Sequence, residues 1–79
     1  MPVVITSHAR ERYQERGGKG RLSAAKIRRH ILGALAVGVE VVNDAVEVQV
    51  GGGFWAVCVP MISGGWSVVT VFRDGEGTR

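Results

Sequence analysis

Hydrophobic and polar positions change their period along this chain. Val3-Val4-Ile5 is a short β-type run. Apolar positions then thin to Ala9 and Tyr13, four apart, which is the narrow stripe of a short helix. Thr6 or Ser7 offers an N-cap oxygen for a free backbone N–H, so the pattern predicts a helix from about Ser7 to Glu15. The run Arg16-Gly17-Gly18-Lys19-Gly20 ends it, because clustered glycines favour a loop. Ser23 can cap a second helix, from about Ala24 to Val37. Ala24, Ile27, Ile31, Ala34 and Leu35 share one face of it, Lys26, Arg29 and Gly33 the other, and Gly38 is a suitable terminator.

From Val39 the period becomes two. Val39–Val42 reads as a strand and Asn43-Asp44 as a turn. Val46, Val48 and Val50 alternate with Glu47 and Gln49, so Ala45–Val50 is a half-buried strand. Gly51-Gly52-Gly53 turns the chain into Phe54–Val59, apolar on both sides, with Pro60 ending it. After Ser63-Gly64-Gly65 comes the last strand, Trp66–Phe72. Strict alternation sets Trp66, Val68, Thr70 and Phe72 on one side and Ser67, Val69 and Val71 on the other. The expected fold is α+β: two N-terminal helices packed on an antiparallel β-meander of three to four strands. Residues 1–72 form one domain, and 73–79, polar and glycine-rich, a flexible C-terminal tail.

With 79 residues the core is small, and self-association is one way to support it. A homodimer is therefore expected, with Trp66 and Phe72 as candidate interface residues. The single Cys58 excludes an internal disulfide and fits a reducing compartment. Two histidines and one cysteine make no cluster of metal-ligand spacing, so neither metal nor cofactor is expected. No apolar run approaches the ~20 residues of a membrane helix. Met1–Ile5 is too short for a signal core, so a soluble, cytoplasmic protein is expected.

Charge changes the picture more. The formal net charge is only +3, yet residues 8–30 hold eight of the ten Lys and Arg residues and both histidines, against Glu11 and Glu15 alone. A basic helical half beside a nearly neutral sheet suggests a polyanion partner such as RNA. Arg10, Lys19, Lys26, Arg28 and Arg29 are candidate nucleic-acid contacts, with Arg73 beyond the last strand. The alternative is a solvated basic helix surface.

His8, Arg12 and Arg16 recur every four residues and line one ridge of the first helix. An imidazole exchanges protons near neutral pH, and a guanidinium can hold phosphate oxygens in a bidentate fork. The same residues also fit an ordinary solvated helix face with Glu–Arg pairs. Gly51-Gly52-Gly53 lacks the following Lys-Ser/Thr of a phosphate loop and is read as a hairpin turn. Cys58 and His30 read as structural residues.

The opening Ser7-His8-Ala9-x-x-Arg12-x-x-x-Arg16-Gly17 and the ending Trp66-Ser67-Val68-Val69-Thr70-Val71-Phe72 resemble a family of small bacterial and phage domains. That family is similar to the RelE/BrnT-like toxins of the barnase–EndoU–colicin–RelE grouping. The likeness spans roughly residues 5–72. It implies helices on an antiparallel sheet and metal-independent RNA cleavage. His8, Arg12 and Arg16 would stand near the cleft, Thr70 would be a substrate-positioning hydroxyl, and ribosomes and an antitoxin protein would be partners. The chain departs from the pattern in its late strands, which carry only Thr70 and Arg73 where such toxins place several basic or tyrosine residues. Three readings stay open: a toxin-type ribonuclease, a noncatalytic nucleic-acid- or protein-binding module, and a homo-oligomeric phage-derived structural protein.

Overall fold

The structure, a computed structural model, describes residues 2–38, 44–73 and 75. The element order is β1 (Val3–Ile5), α1 (Ser7–Glu15), α2 (Ala24–Ala36), β2 (Val46–Gly51), β3 (Phe54–Pro60) and β4 (Trp66–Arg73). The fold is α+β: two helices on one four-stranded sheet of order β1-β4-β3-β2. The expected arrangement of helices ahead of a purely antiparallel meander is corrected here. β1 precedes both helices and pairs parallel with β4, so the sheet is mixed. A three-residue strand says nothing about its partner, and this partner lies over sixty residues away.

Thr6 makes the joint between β1 and α1. Its Oγ1 accepts from the Ala9 N–H (3.2 Å), which caps the helix. Its hydroxyl donates to the Val68 carbonyl at 2.8 Å, and its own N–H donates to the same oxygen at 3.2 Å. α1 ends where the glycines predicted. Gly17 takes φ +88°, its N–H donates to the Gln14 carbonyl, and the Gly18 N–H donates to that of Tyr13 at 2.8 Å, which together form a Schellman motif. Ser23 caps α2 by accepting from the Lys26 N–H. The helix ends at Ala36, one residue earlier than expected, with Val37 as the C-cap, and Gly38 takes φ +79°.

Ile27 and Ile31 on α2 and Ala9 on α1 meet Ile5, Val46, Val48, Ala56, Cys58, Val68 and Val71 in one core on the helix side of the sheet. Val68 and Val71, three apart, are both buried there, so strict alternation fails in β4. Val57 pairs with Thr70 and Cys58 with Val68, which leaves Val69 as an extra, bulged residue. Trp66 therefore packs against the core, while Phe72, opposite Trp55, points to the other side. The β2–β3 turn uses Gly52 and Gly53 at φ +63° and +80°, the left-handed pair of a tight hairpin.

β4 includes Arg73, so the strand runs one residue past the expected start of the tail. The strand expected at 39–42 lies outside the described residues. Asp44, from the expected turn, is described and takes φ 62°. Among the described residues no helix is long and apolar enough to cross a membrane.

The β3–β4 loop holds the N-terminal segment. The Trp66 N–H donates to the Pro2 carbonyl at 2.9 Å, and a Cβ on Gly65 would collide with that same oxygen. Gly64 has a similar left-handed φ but faces open space. Gly64→Ala should cost about 1–2 kcal/mol for the left-handed backbone alone. Gly65→Ala should cost clearly more, because it also displaces β1 from β4. Urea unfolding of the two variants measures the difference. Thr6→Val should cost about 1–2 kcal/mol by the same measurement, from the lost cap and hydroxyl bond.

Candidate functional site

The last turn of α1 and the loop after it wrap around one aromatic residue. Ala9 is fully buried, and Arg12, Tyr13 and Arg16 follow it on the inward side of the helix, half-buried. The Tyr13 ring stands edge-on to Phe54, with centroids 4.8 Å apart and planes at 60°. Its hydroxyl donates to the Lys19 carbonyl at 3.0 Å. Gly18 lies over the ring face, so close that a Cβ there would sit 2.5–2.6 Å from the ring carbons. Arg73, in register with Phe54, places its guanidinium 5.8 Å from that ring's centre and donates to the Arg16 carbonyl at 3.3 Å.

Two adjoining hollows open beside Tyr13. One, of about 280 Å³, is lined by Arg10, Tyr13, Gln14, Gly20, Arg21 and Leu22. The other, of about 270 Å³, shares Tyr13, Arg21 and Leu22 and adds Lys19, Ser23, Lys26, Ile27 and Val50. The lining holds four cations, Arg10, Lys19, Arg21 and Lys26, and no carboxylate. The second hollow also meets Ser23, Lys26 and Ile27 at the start of α2, the positive end of the helix dipole. Lys26 reaches the β2–β3 turn: its Nζ would lie 3.7 Å from a Cβ on Gly51. Chemically this is a cationic groove with an apolar floor, suited to phosphate oxygens.

Of the sequence-predicted contacts, Arg10, Lys19 and Lys26 come together here. Arg28 and Arg29 are exposed on α2 and do not line the groove, and Arg73 is engaged beside Phe54. Arg21 was not singled out in the sequence, although it lines both hollows; its place in the basic stretch was the available signal. His8 is exposed in the first turn of α1 and lines neither hollow. Arg12 lies 3.8 Å from Glu15, and its buried Nε has no hydrogen bond among the described residues. Thr70 pairs with Val57, on the side of the sheet away from the helices, so the fold does not bring it to His8.

Cys58 is fully buried in the core, and burial pushes its thiol up to about 11. Among the described residues no group of three His, Cys, Asp or Glu side chains is placed to hold a metal ion. Comparison of the chain with protein-family models, curated proteins and solved structures returned no match.

Gly18→Ala forces the Tyr13 ring aside and should lower stability by about 1–3 kcal/mol. Tyr13→Phe keeps the ring packing and should cost at most ~1 kcal/mol. Thermal unfolding separates the two. Cys58 should resist thiol reagents in the folded protein and react at the rate of unfolding. Because its folded value is raised, its contribution to stability is full below about pH 9 and is lost as pH rises toward about 11. Unfolding free energies measured across that range should fall, and a Cys58→Ala variant should lack that part of the slope.

Proposed function

We propose that this protein is an RNA-directed module that takes the sugar–phosphate backbone in the groove beside Tyr13. The observation that carries this reading is the placement of Arg10, Lys19, Arg21 and Lys26, from α1, the following loop and α2, around two adjoining hollows that share Tyr13, Arg21 and Leu22 and have no acidic lining. Cations drawn from separate elements into a hollow differ from a basic helix face that merely meets water. Backbone contacts of this kind give affinity without sequence preference.

A second reading is favoured by one further observation. His8 is solvent-exposed, with Arg12 one helical turn along. In the toxin-type ribonuclease reading, His8 moves the proton of an RNA 2′-hydroxyl, Arg12 and Arg16 steady the charged phosphorus centre, and no metal is required. That reading adds a cytoplasmic setting, ribosome-associated RNA and a cognate antitoxin. Thr70 has no part in it, given the side of the sheet it occupies.

Binding to a single-stranded RNA should weaken linearly in log Kd against log salt. Each of Lys19→Glu, Arg21→Glu and Lys26→Glu should weaken binding and lower that slope by about 0.7 per lost phosphate contact. Arg28→Glu with Arg29→Glu should weaken it less. No binding at low salt overturns the proposal. Cleavage that survives EDTA and falls ~100- to 10,000-fold in a folded His8→Ala variant supports the enzyme reading. Binding without any cleavage leaves the noncatalytic module.

A further inference from the structure

The outward strip of α2 is unlike that of an ordinary surface helix. Ile27 and Ile31 are buried, and Ala24 and Ala34 pack against the same core. The opposite strip runs Ala25, Arg29, Leu32, Gly33 and Ala36 at helical spacing, and every one of them is exposed. The polar residues of the helix, Lys26, Arg28, Arg29 and His30, all lie in its first half. From Ile31 to Gly38 the chain has none on any side. Yet Leu32 is 44% exposed, Leu35 40% and Val37 78%. A helix that is apolar all round belongs in a buried setting.

Gly33 adds a second observation. Glycine inside a helix is unfavourable relative to other residues. Here a Cβ would meet nothing within 4 Å, and the backbone does not take the left-handed conformation that favours glycine. Nothing within the chain therefore calls for glycine at this position, and the space beside it is open.

We infer that this strip is the contact surface for a second copy of the chain, with the two α2 helices crossing antiparallel about a two-fold axis between Leu32 and Gly33. The strip is complementary to itself in shape and in charge. Leu32 enters the space left open over the partner's Gly33, and Ala36 lies opposite the partner's Arg29. Arg28 and Arg29 approach the C-terminal end of the partner's helix. That end is the negative end of the helix dipole, and it has no basic residue of its own in the last turn. A parallel pair would set like charges side by side. The antiparallel pair separates the two Arg29 positions by roughly 10 Å along the axis at ~1.5 Å per residue. A polyanion could take Arg28 and Arg29 but would leave the leucines in water.

The helices overlap over residues 29–36, about 12 Å at the same rise. So short a contact lies at the small end for specific association, which means a dimer that dissociates on dilution. The inference does not rest on the RNA reading, and the variants that test it leave Arg10, Lys19, Arg21 and Lys26 in place.

The test is sedimentation velocity of the intact chain from micromolar concentration to about 1 mM, with circular dichroism to confirm folding of each variant. Wild-type protein should shift from monomer to dimer. Leu32→Lys and Gly33→Gln should each weaken the dimer at least ~10-fold. Glutamine is the better helix former, so Gly33→Gln should at the same time raise the thermal midpoint of the dilute monomer, which a merely disruptive change would lower. Ala36→Glu sets a carboxylate against the partner's Arg29 and should tighten the dimer several-fold, whereas Ala36→Lys should loosen it. Val4→Lys, exposed on the side of the sheet away from the helices, should leave it unchanged.

A monomer up to about 1 mM overturns the inference. If that monomer binds an acidic amphipathic peptide and loses it in Gly33→Gln, the strip belongs to a helix of another protein. If it binds phosphatidylglycerol vesicles and loses them in Leu32→Lys, the strip belongs to a lipid surface. A dimer indifferent to Leu32→Lys and Gly33→Gln overturns the inference by assigning association to another surface. A dimer loosened by Ala36→Glu overturns it as well, because the helices then do not pair antiparallel in this register.

Discussion

The arrangement rests on what Thr6 does at the end of a three-residue strand. Two of its donors, N–H and hydroxyl, go to one carbonyl on β4, and its oxygen meanwhile caps α1. A helix this short has little stability of its own and forms because its first turn is anchored and its apolar side is buried. Anchored at Val68, α1 runs beside β4 and delivers Tyr13 to Phe54 at the other end of the sheet. The Schellman turn then brings the chain back over the Tyr13 ring. The basic loop between the helices thus comes to line a hollow with Val50 of β2. The groove is a product of that closure.

The two sides of the sheet divide the chemistry. The helix side ends in cations gathered from three elements, while the outer side is nearly uncharged. A modest net charge conceals this separation.

The helices were legible because their signals are local. Thr6 and Ser23 as caps, Gly17 and Gly38 as stops, and Ile27 with Ile31 all act within a few residues. The alternation of Val46 and Val48 was equally plain. β4 was not legible in the same way. Trp66–Phe72 is apolar on both sides, so nothing in its pattern marks Val69 as the bulge, and the bulge decides the sidedness of Trp66, Thr70 and Phe72. The parallel pairing of β1 was hidden for a different reason, since three valine-type residues fit any open edge. In the groove, the positive charge was visible as composition. The roles of Arg21 and Tyr13 depend on how the glycine-rich loop closes over the ring, a contact between residues that no local pattern encodes.

The adjacency of β1 and β4 has a consequence for the order of events during synthesis. Pro2, Val3 and Ile5 find their partners only when Trp66, Val68 and their neighbours have left the ribosome tunnel. Phe54 and Arg73, which support Tyr13, arrive almost as late. Contacts so distant in sequence close slowly, and until then the first helix has no sheet to rest on. The nascent chain therefore carries its positive charges without the groove that organises them until the last strand is in place.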